Sequence, residues 1–138
     1  MAFVSTVLAY VMATLVVQAV SHFSINAEHY VAVAFMRPNA IAALGILAAV
    51  LQGIVLAYFA PRIRLPGTPM VQALLFAWMA GIVLVSYLAF VEPAKYAVPS
   101  IRSWLIVELS AGFVQFTLFG LALAAIRQWI GGMTAAET

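Results

Sequence analysis

The chain has 138 residues, of which 67% are hydrophobic and only 7% charged, and its formal net charge is +2. A soluble domain carries about 25% charged residues, and a small one buries only about 60–70% of its chain surface, so lipid rather than water must cover this much apolar area. The absence of cysteine excludes disulfides, thiolate zinc sites, iron–sulfur clusters and cysteine nucleophiles, and the singly scattered basic residues form no stripe for nucleic acid.

The first apolar run covers 3–23, with its polar residues Gln18, Ser21 and His22 gathered at the far end. It lacks the Lys/Arg-rich leader of a secretory signal, so it is expected as a retained first span. The segment that follows, SINAEHYVAVAFMRPNA, holds Glu28, His29 and Arg37 among Tyr30, Phe35 and Met36. That is too apolar for a free loop and predicts a short interfacial helix between spans one and two. Asn39 after Pro38 is a favoured helix N-cap residue and is expected to restart the chain as the second span, 40–59.

Ala40–Phe59 has Gln52 as its one strongly polar residue, and Met70–Val91 has only Gln72. About 20 such residues at 1.5 Å each cross the hydrocarbon core, so both are spans. PRIRLPGTP between them, with three prolines, a glycine and two arginines, is a turn. Glu92-Pro93 is expected to close the third span at 91. A fourth covers 100–127 within a helix reaching Trp129, and 130–138 is a frayed tail. The expected fold class is an all-α, integral membrane four-helix transmembrane bundle, one domain over 1–138. Lys and Arg divide three against three between its two sides, and the dense Arg62/Arg64 pair places both termini in the cytoplasm.

Small residues set the expected packing. The second span carries Gly45, Ala49, Gly53 and Ala57 at four-residue spacing, the third Ala73, Ala77 and Gly81, and the fourth Gly112, Gly120 and Ala124. Such ridges let membrane helices approach closely, and Phe116, which interrupts the last one, is expected opposite a glycine. Trp104 and Trp129 fall near the ends of the fourth span, where aromatic belts lie.

Glu108 is the residue most suggestive of chemistry. It lies some ~9 Å from the bilayer centre, where a charge costs at least ~2.5 kcal/mol, so it must be neutral, paired or facing water. Gly112 and Gln115 share its helical face. Counting residues along alternating helices brings Gln18, His22 and Ser86 into the same half of the membrane, with Glu92, Lys95 and Arg102 at the adjacent surface. It puts Gln52, Gln72 and Gln115 in the other half. Two readings follow: a polar layer that pins helix register, with Glu108 protonated or paired to His22 or Arg102, or a proton- or ligand-binding cavity. The glutamines, one to each span, read first as interhelical glue. His22 and His29 lack an obvious third ligand, so no metal is expected.

Three stretches, HFSINAEHYVAVAFMRPNAI, LQGIVLAYFAPRIRLPGTP and AKYAVPSIRSWLIVELSAGFVQFTLFGLAL, resemble a group of small, uncharacterised bacterial four-span membrane proteins of the domain-of-unknown-function type. The resemblance implies the bacterial cytoplasmic (inner) membrane and says nothing of mechanism. With no nucleophile–base pair, phosphate loop or zincin motif, no enzyme is expected. The leading expectation is a non-catalytic accessory or structural subunit of a larger membrane complex, respiratory or photosynthetic, or a homo-oligomer. The alternative is a small proton-coupled transporter or channel using Glu108. Its expected partners are lipids and other membrane subunits or copies of itself. No cofactor is expected, with a bound lipid or hydrophobic pigment left open.

Overall fold

The structure is a computed structural model describing residues 2–37 and 39–136, with side chains as far as Ile130. It is all-helical, with no strand among the described residues, and four of its helices are long and apolar enough to cross a membrane. This is the four-helix bundle of a multi-pass membrane protein. Helix α1 (Ala2–Val20) runs without a break into a π-helical turn, Ser21–Ile25, and the two make the first span. Asn26 ends that turn, its N–H donating to the Ser21 carbonyl at 2.8 Å, and a short helix α2 (Ala27–Val31) follows. Spans α3 (Ala42–Phe59) and α4 (Pro69–Ser86) come next. A second π-helical turn, Tyr87–Val91, joins α4 to α5 (Glu92–Lys95), and α6 (Ile101–Ala136) closes the chain.

Several element ends differ from the sequence expectation, each for a local reason. Asn39 caps nothing: α3 begins three residues later, with Ile41 preceding it and no side-chain cap. Pro38 lies outside the described residues. The third span does not stop at Val91 but continues through Glu92-Pro93 to Lys95. In the π-helical turn the Glu92 N–H donates five residues back, to the Tyr87 carbonyl. The same register assigns Pro93, which has no N–H, to the Leu88 carbonyl, so the proline forfeits one bond without ending the helix. Trp104 Nε1 takes that carbonyl instead, at 3.0 Å. The Thr68 hydroxyl accepts from the Val71 N–H, with Pro69 in the first turn of α4, a start signal the turn composition had hidden. The expected tail from 130 stays helical as far as Ala136, and residues 137 and 138 lie outside the described residues.

The spans pack in the spatial order α3, α1, α6, α4; α3 and α4, although joined by the turn, scarcely touch. The fourth span is the hub, with 44% of its most apolar stretch buried against 22% or less in the others. Leu56 and Ala60 meet Ala73, Phe76 and Ala77 of α4 and Phe119, Leu123 and Ala124 of α6 in an apolar core toward the α3–α4 turn. Away from that turn the two helices diverge, and the bundle is splayed. Exposed Leu8, Met12, Leu47, Leu51, Ile82 and Phe113 give it an apolar exterior suited to lipid.

Glycines set the close contacts. A Cβ on Gly112 would lie 2.5 Å from a Val85 methyl, one on Gly81 2.7 Å from the Phe116 ring, and one on Gly120 3.0 Å from Leu74. These join α4 to α6. Gly53 does the same for α1 and α3, 3.3 Å from the Val7 carbonyl, with Ala49 and Ala57 buried beside it. Gly45 is the exception in its ridge: nothing lies within 4 Å, because it fronts the gap between α3 and α4.

Gly112→Ala should therefore destabilise the bundle by about 1–3 kcal/mol, since stiff Val85 must yield. Gly45→Ala should be near neutral, and thermal unfolding of both variants in one detergent separates them.

Candidate functional site: a polar cavity between the spans

Tyr10, Thr14, Gln18 and His22 recur every four residues along the first span, so its inner face is a stripe of polar groups. α6 answers with Glu108 and Gln115, and α3 with Gln52. The Tyr10 hydroxyl donates to Gln52 Oε1 at 2.6 Å; Gln18 Nε2 donates to Gln115 Oε1 at 2.9 Å; Gln115 Nε2 donates to Thr14 Oγ1 at 3.0 Å. Three spans are thus tied by hydrogen bonds between uncharged groups, each worth ~0.6–2 kcal/mol in a bilayer.

Glu108 is buried, and its Oε1 accepts from the Tyr30 hydroxyl at 2.9 Å. Tyr30 belongs to α2, outside the spans, so the connecting segment reaches into the bundle rather than lying flat at its end. It is held there by stacking on His22, with centroids 3.7 Å apart and planes 10° from parallel, and by the Trp104 ring at 6.5 Å. His22 Nδ1 lies 3.1 Å from the Gln18 carbonyl. A carbonyl only accepts, so Nδ1 carries the proton. His29 flanks Tyr30 on another side and meets Ser103 Oγ through Nδ1 at 3.2 Å, while its buried Nε2 has no partner among the described residues. The two histidines thus take separate partners. Burial, then the neighbouring Glu108 carboxyl, pushes the Tyr30 phenol above its ordinary 10.0 and keeps it a donor.

Glu108 and the amide network, without Tyr30 or the histidines, line a cavity of about 590 Å³ bordered by all four spans, within the 300–1,000 Å³ of small-molecule sites. One wall is polar, with Tyr10, Thr14, Gln18, Gln52, Glu108 and Gln115; the other is apolar, with Val83, Leu84, Val85, Leu88 and Phe116. Among the described residues no lysine or arginine lines it. Gly45, Ala48, Val83 and Tyr87, all exposed, form its rim where α3 and α4 part. Of the Glu108 carboxyl oxygens only Oε1 has a hydrogen-bond partner among the described residues.

The residues expected to cluster divide accordingly. Glu108, Gln115 and Gln18 share the cavity, and His22 joins them through Gln18 and Tyr30. Ser86 does not. Its hydroxyl donates to the Val83 carbonyl at 3.2 Å and faces a separate, nearly all-apolar groove of about 390 Å³ between α4 and α6. Arg102 is exposed, and the partner of Glu108 is Tyr30 rather than Arg102 or His22. Gln52 and Gln115, counted into the other half of the bundle, belong to this network, whereas Gln72 bonds the Gly67 carbonyl in the turn. Tyr10, Thr14, Gln52 and Tyr30 were missed as site residues; the four-residue stripe of the first span was the available signal for two of them.

The fold and site define a multi-pass helical membrane protein with a polar cavity inside its bundle. Comparison of the chain with family models, curated proteins and solved structures finds no match, so the site's chemistry alone must carry the functional reading.

Tyr30→Phe should cost about 1–3 kcal/mol at neutral pH, because Glu108 loses its donor. A phenol raised in the folded state stabilises fully below its unfolded value of 10.0, and that contribution falls as pH rises above it. Alkaline denaturation should thus narrow the stability gap between wild type and Tyr30→Phe.

Proposed function

We propose that the protein is a small proton-coupled transporter of the bacterial cytoplasmic membrane, with Glu108 as the group that exchanges protons. The observation that supports this most is a buried membrane carboxyl with one oxygen that accepts from no described residue, facing a cavity lined by no lysine or arginine among the described residues. A register-pinning layer would consume its polar groups on one another, as Gln18, Gln115 and Thr14 do; Glu108 is left partly unused. An ionisable group at this depth that meets no opposite charge is a functional site by default.

Both termini belong on the cytoplasmic side in this reading. Arg127 of α6 donates to the Ala60 carbonyl at 2.6 Å, which brings the end of the fourth span beside the Arg62/Arg64 turn. Ala2 and Phe3 line a hollow with Arg62 and Arg127, so the start of the chain shares that end. With three basic residues at each end, the dense Arg62/Arg64 pair is what favours the cytoplasmic face for this one.

The test follows the carboxyl itself. Difference infrared spectra of the purified protein in lipid should show a membrane carboxyl band that titrates with pH and disappears in Glu108→Gln but not in Glu92→Gln. Glu108→Gln should stay folded, because its amide oxygen can still accept from Tyr30. A Glu108 band that does not respond to pH overturns the reading. So does a native particle in which the chain is stoichiometric with larger membrane subunits and Glu108→Gln alters only assembly; that result would restore the accessory-subunit role.

A further inference from the structure

We infer that the occupant of the Glu108 cavity is a lipophilic organic monocation, a protonated or quaternary centre carrying apolar groups, which enters from the bilayer between α3 and α4. This rests on the reading of the cavity as a transport site and names its substrate class.

Charge makes the first selection. Among the described residues Glu108 is the sole acid on the lining and no lysine, arginine or histidine joins it there, so the ionised lining carries one negative charge. An anion would meet that charge with nothing to offset it. A monocation neutralises it and recovers the ~2.5 kcal/mol or more that an isolated charge costs at this depth. A dication would leave the complex charged in hydrocarbon. Beyond the carboxylate, the rings of Tyr10 and Phe116 on the lining attract a cation, with the strongest effect where water is absent, whereas the Tyr87 ring already has Lys95 over it.

Shape and polarity make the second selection. The wall opposite the polar stripe is Val83, Leu84, Val85, Leu88 and Phe116, with no hydroxyl or amide to satisfy a sugar or a peptide. Much of the amide capacity of the polar wall is already engaged in Gln18–Gln115–Thr14. A strongly hydrated solute would lose water bonds that this wall cannot replace, whereas an apolar body gains by burial.

Access makes the third. Gly45 and Ala48 on α3 face Val83 of α4 and Tyr87 and Leu88 of the π-helical turn after it across the rim, and α3 and α4 scarcely touch. With Gly45 open to at least 4 Å, the doorway lies among lipid-facing side chains. A ligand that partitions into the membrane reaches it without crossing water.

Proton and cation then compete for one carboxyl, so binding must weaken as the medium is acidified. The titratable groups facing Glu108 are Tyr30 of α2, which donates to it, and Glu92 of α5, close enough to act on its charge. From α1, His22 stacks on Tyr30 and Tyr10 lines the same cavity; α3 and α4 add no ionisable side chain to the lining beyond Tyr87, in the turn that extends α4.

The test is equilibrium dialysis of labelled methyltriphenylphosphonium against the detergent-solubilised full chain. Wild type should bind saturably and more weakly at lower pH. Glu108→Gln should weaken binding at least tenfold. Gly45→Trp, which fills the doorway and keeps the carboxyl, should do the same; because nothing packs on Gly45, this variant tests the site even if Glu108→Gln fails to fold. Binding that survives both substitutions overturns the inference. Preference for the neutral analogue triphenylphosphine oxide overturns the cation class while leaving a ligand cavity in place. Cation binding that depends on Glu108, without a pH-responsive carboxyl band, upholds the cation class and rejects both the competition with protons and proton coupling.

Discussion

A carboxyl group placed in hydrocarbon dictates much of what surrounds it. Glu108 lies in the hub helix, and its position obliges some donor to reach it. That donor is Tyr30, from the segment between the first two spans, so the segment is drawn inward and Val33 and Tyr30 are buried. Once Tyr30 is inside, its ring needs walls. His22 supplies one by stacking, His29 another edge-on, and Trp104 closes the group from α6. Trp104 in turn must place its indole N–H, and it finds the Leu88 carbonyl in the π-helical turn before Pro93. One acid thus accounts for an inserted strap, a histidine–tyrosine stack and a buried tryptophan.

The opposite end obeys a different rule. Near the α3–α4 turn the packed side chains are mostly alanines, leucines and phenylalanines, so dispersion does most of the joining there, beside the hydrogen bond from Arg127 to the Ala60 carbonyl. Close approach of α4 to α6 depends on residues without bulk, from Gly120 against Leu74 near that turn, through Gly81 beneath Phe116, to Gly112 beneath Val85 at the cavity. Since α4 is clamped to α6 and α3 to α1, neither is free to close over the space between them. The cavity is therefore a consequence of pairwise packing. Both π-helical turns fall at its end of the molecule, where they adjust the direction of the first and third spans.

The spans were legible because hydrophobic runs of this length have one physical explanation in a bilayer. Their ends were less so. Pro93 reads as a stop in an α-helical register but is tolerated next to a π-helical turn, and Asn39 lost its capping role to an uncapped start three residues on. In the site, Glu108, Gln115 and Gln18 could be grouped from helical periodicity and depth. Tyr30 could not, because its sequence neighbourhood resembles a surface segment and its partner lies 78 residues away. Depth counting set Gln52 and Gln115 apart from Gln18; Gln52 bonds Tyr10, which falls in that same half, while Gln115, at the midpoint of the 101–130 span, reaches Gln18 and Thr14. Ser86 failed for another reason: depth says nothing of rotation about the helix axis. Its neighbour Val85 faces Gly112, and one residue further round Ser86 looks into the outer groove.

The choice of polar groups also has a physical logic. An amide carries both donors and an acceptor, so Gln18, Gln115 and Thr14 can satisfy one another with no net charge and no desolvated ion. A lysine or arginine in any of those places would have neutralised Glu108 as an ion pair and left the cavity electrically silent. Building the network from amides and hydroxyls instead leaves a single ionisable carboxyl on the lining. The charge state of that carboxyl then sets the charge of the lining. In a low-dielectric interior that one charge outweighs the dipoles around it, which is why the behaviour of the bundle should follow the state of Glu108 more closely than that of any other residue.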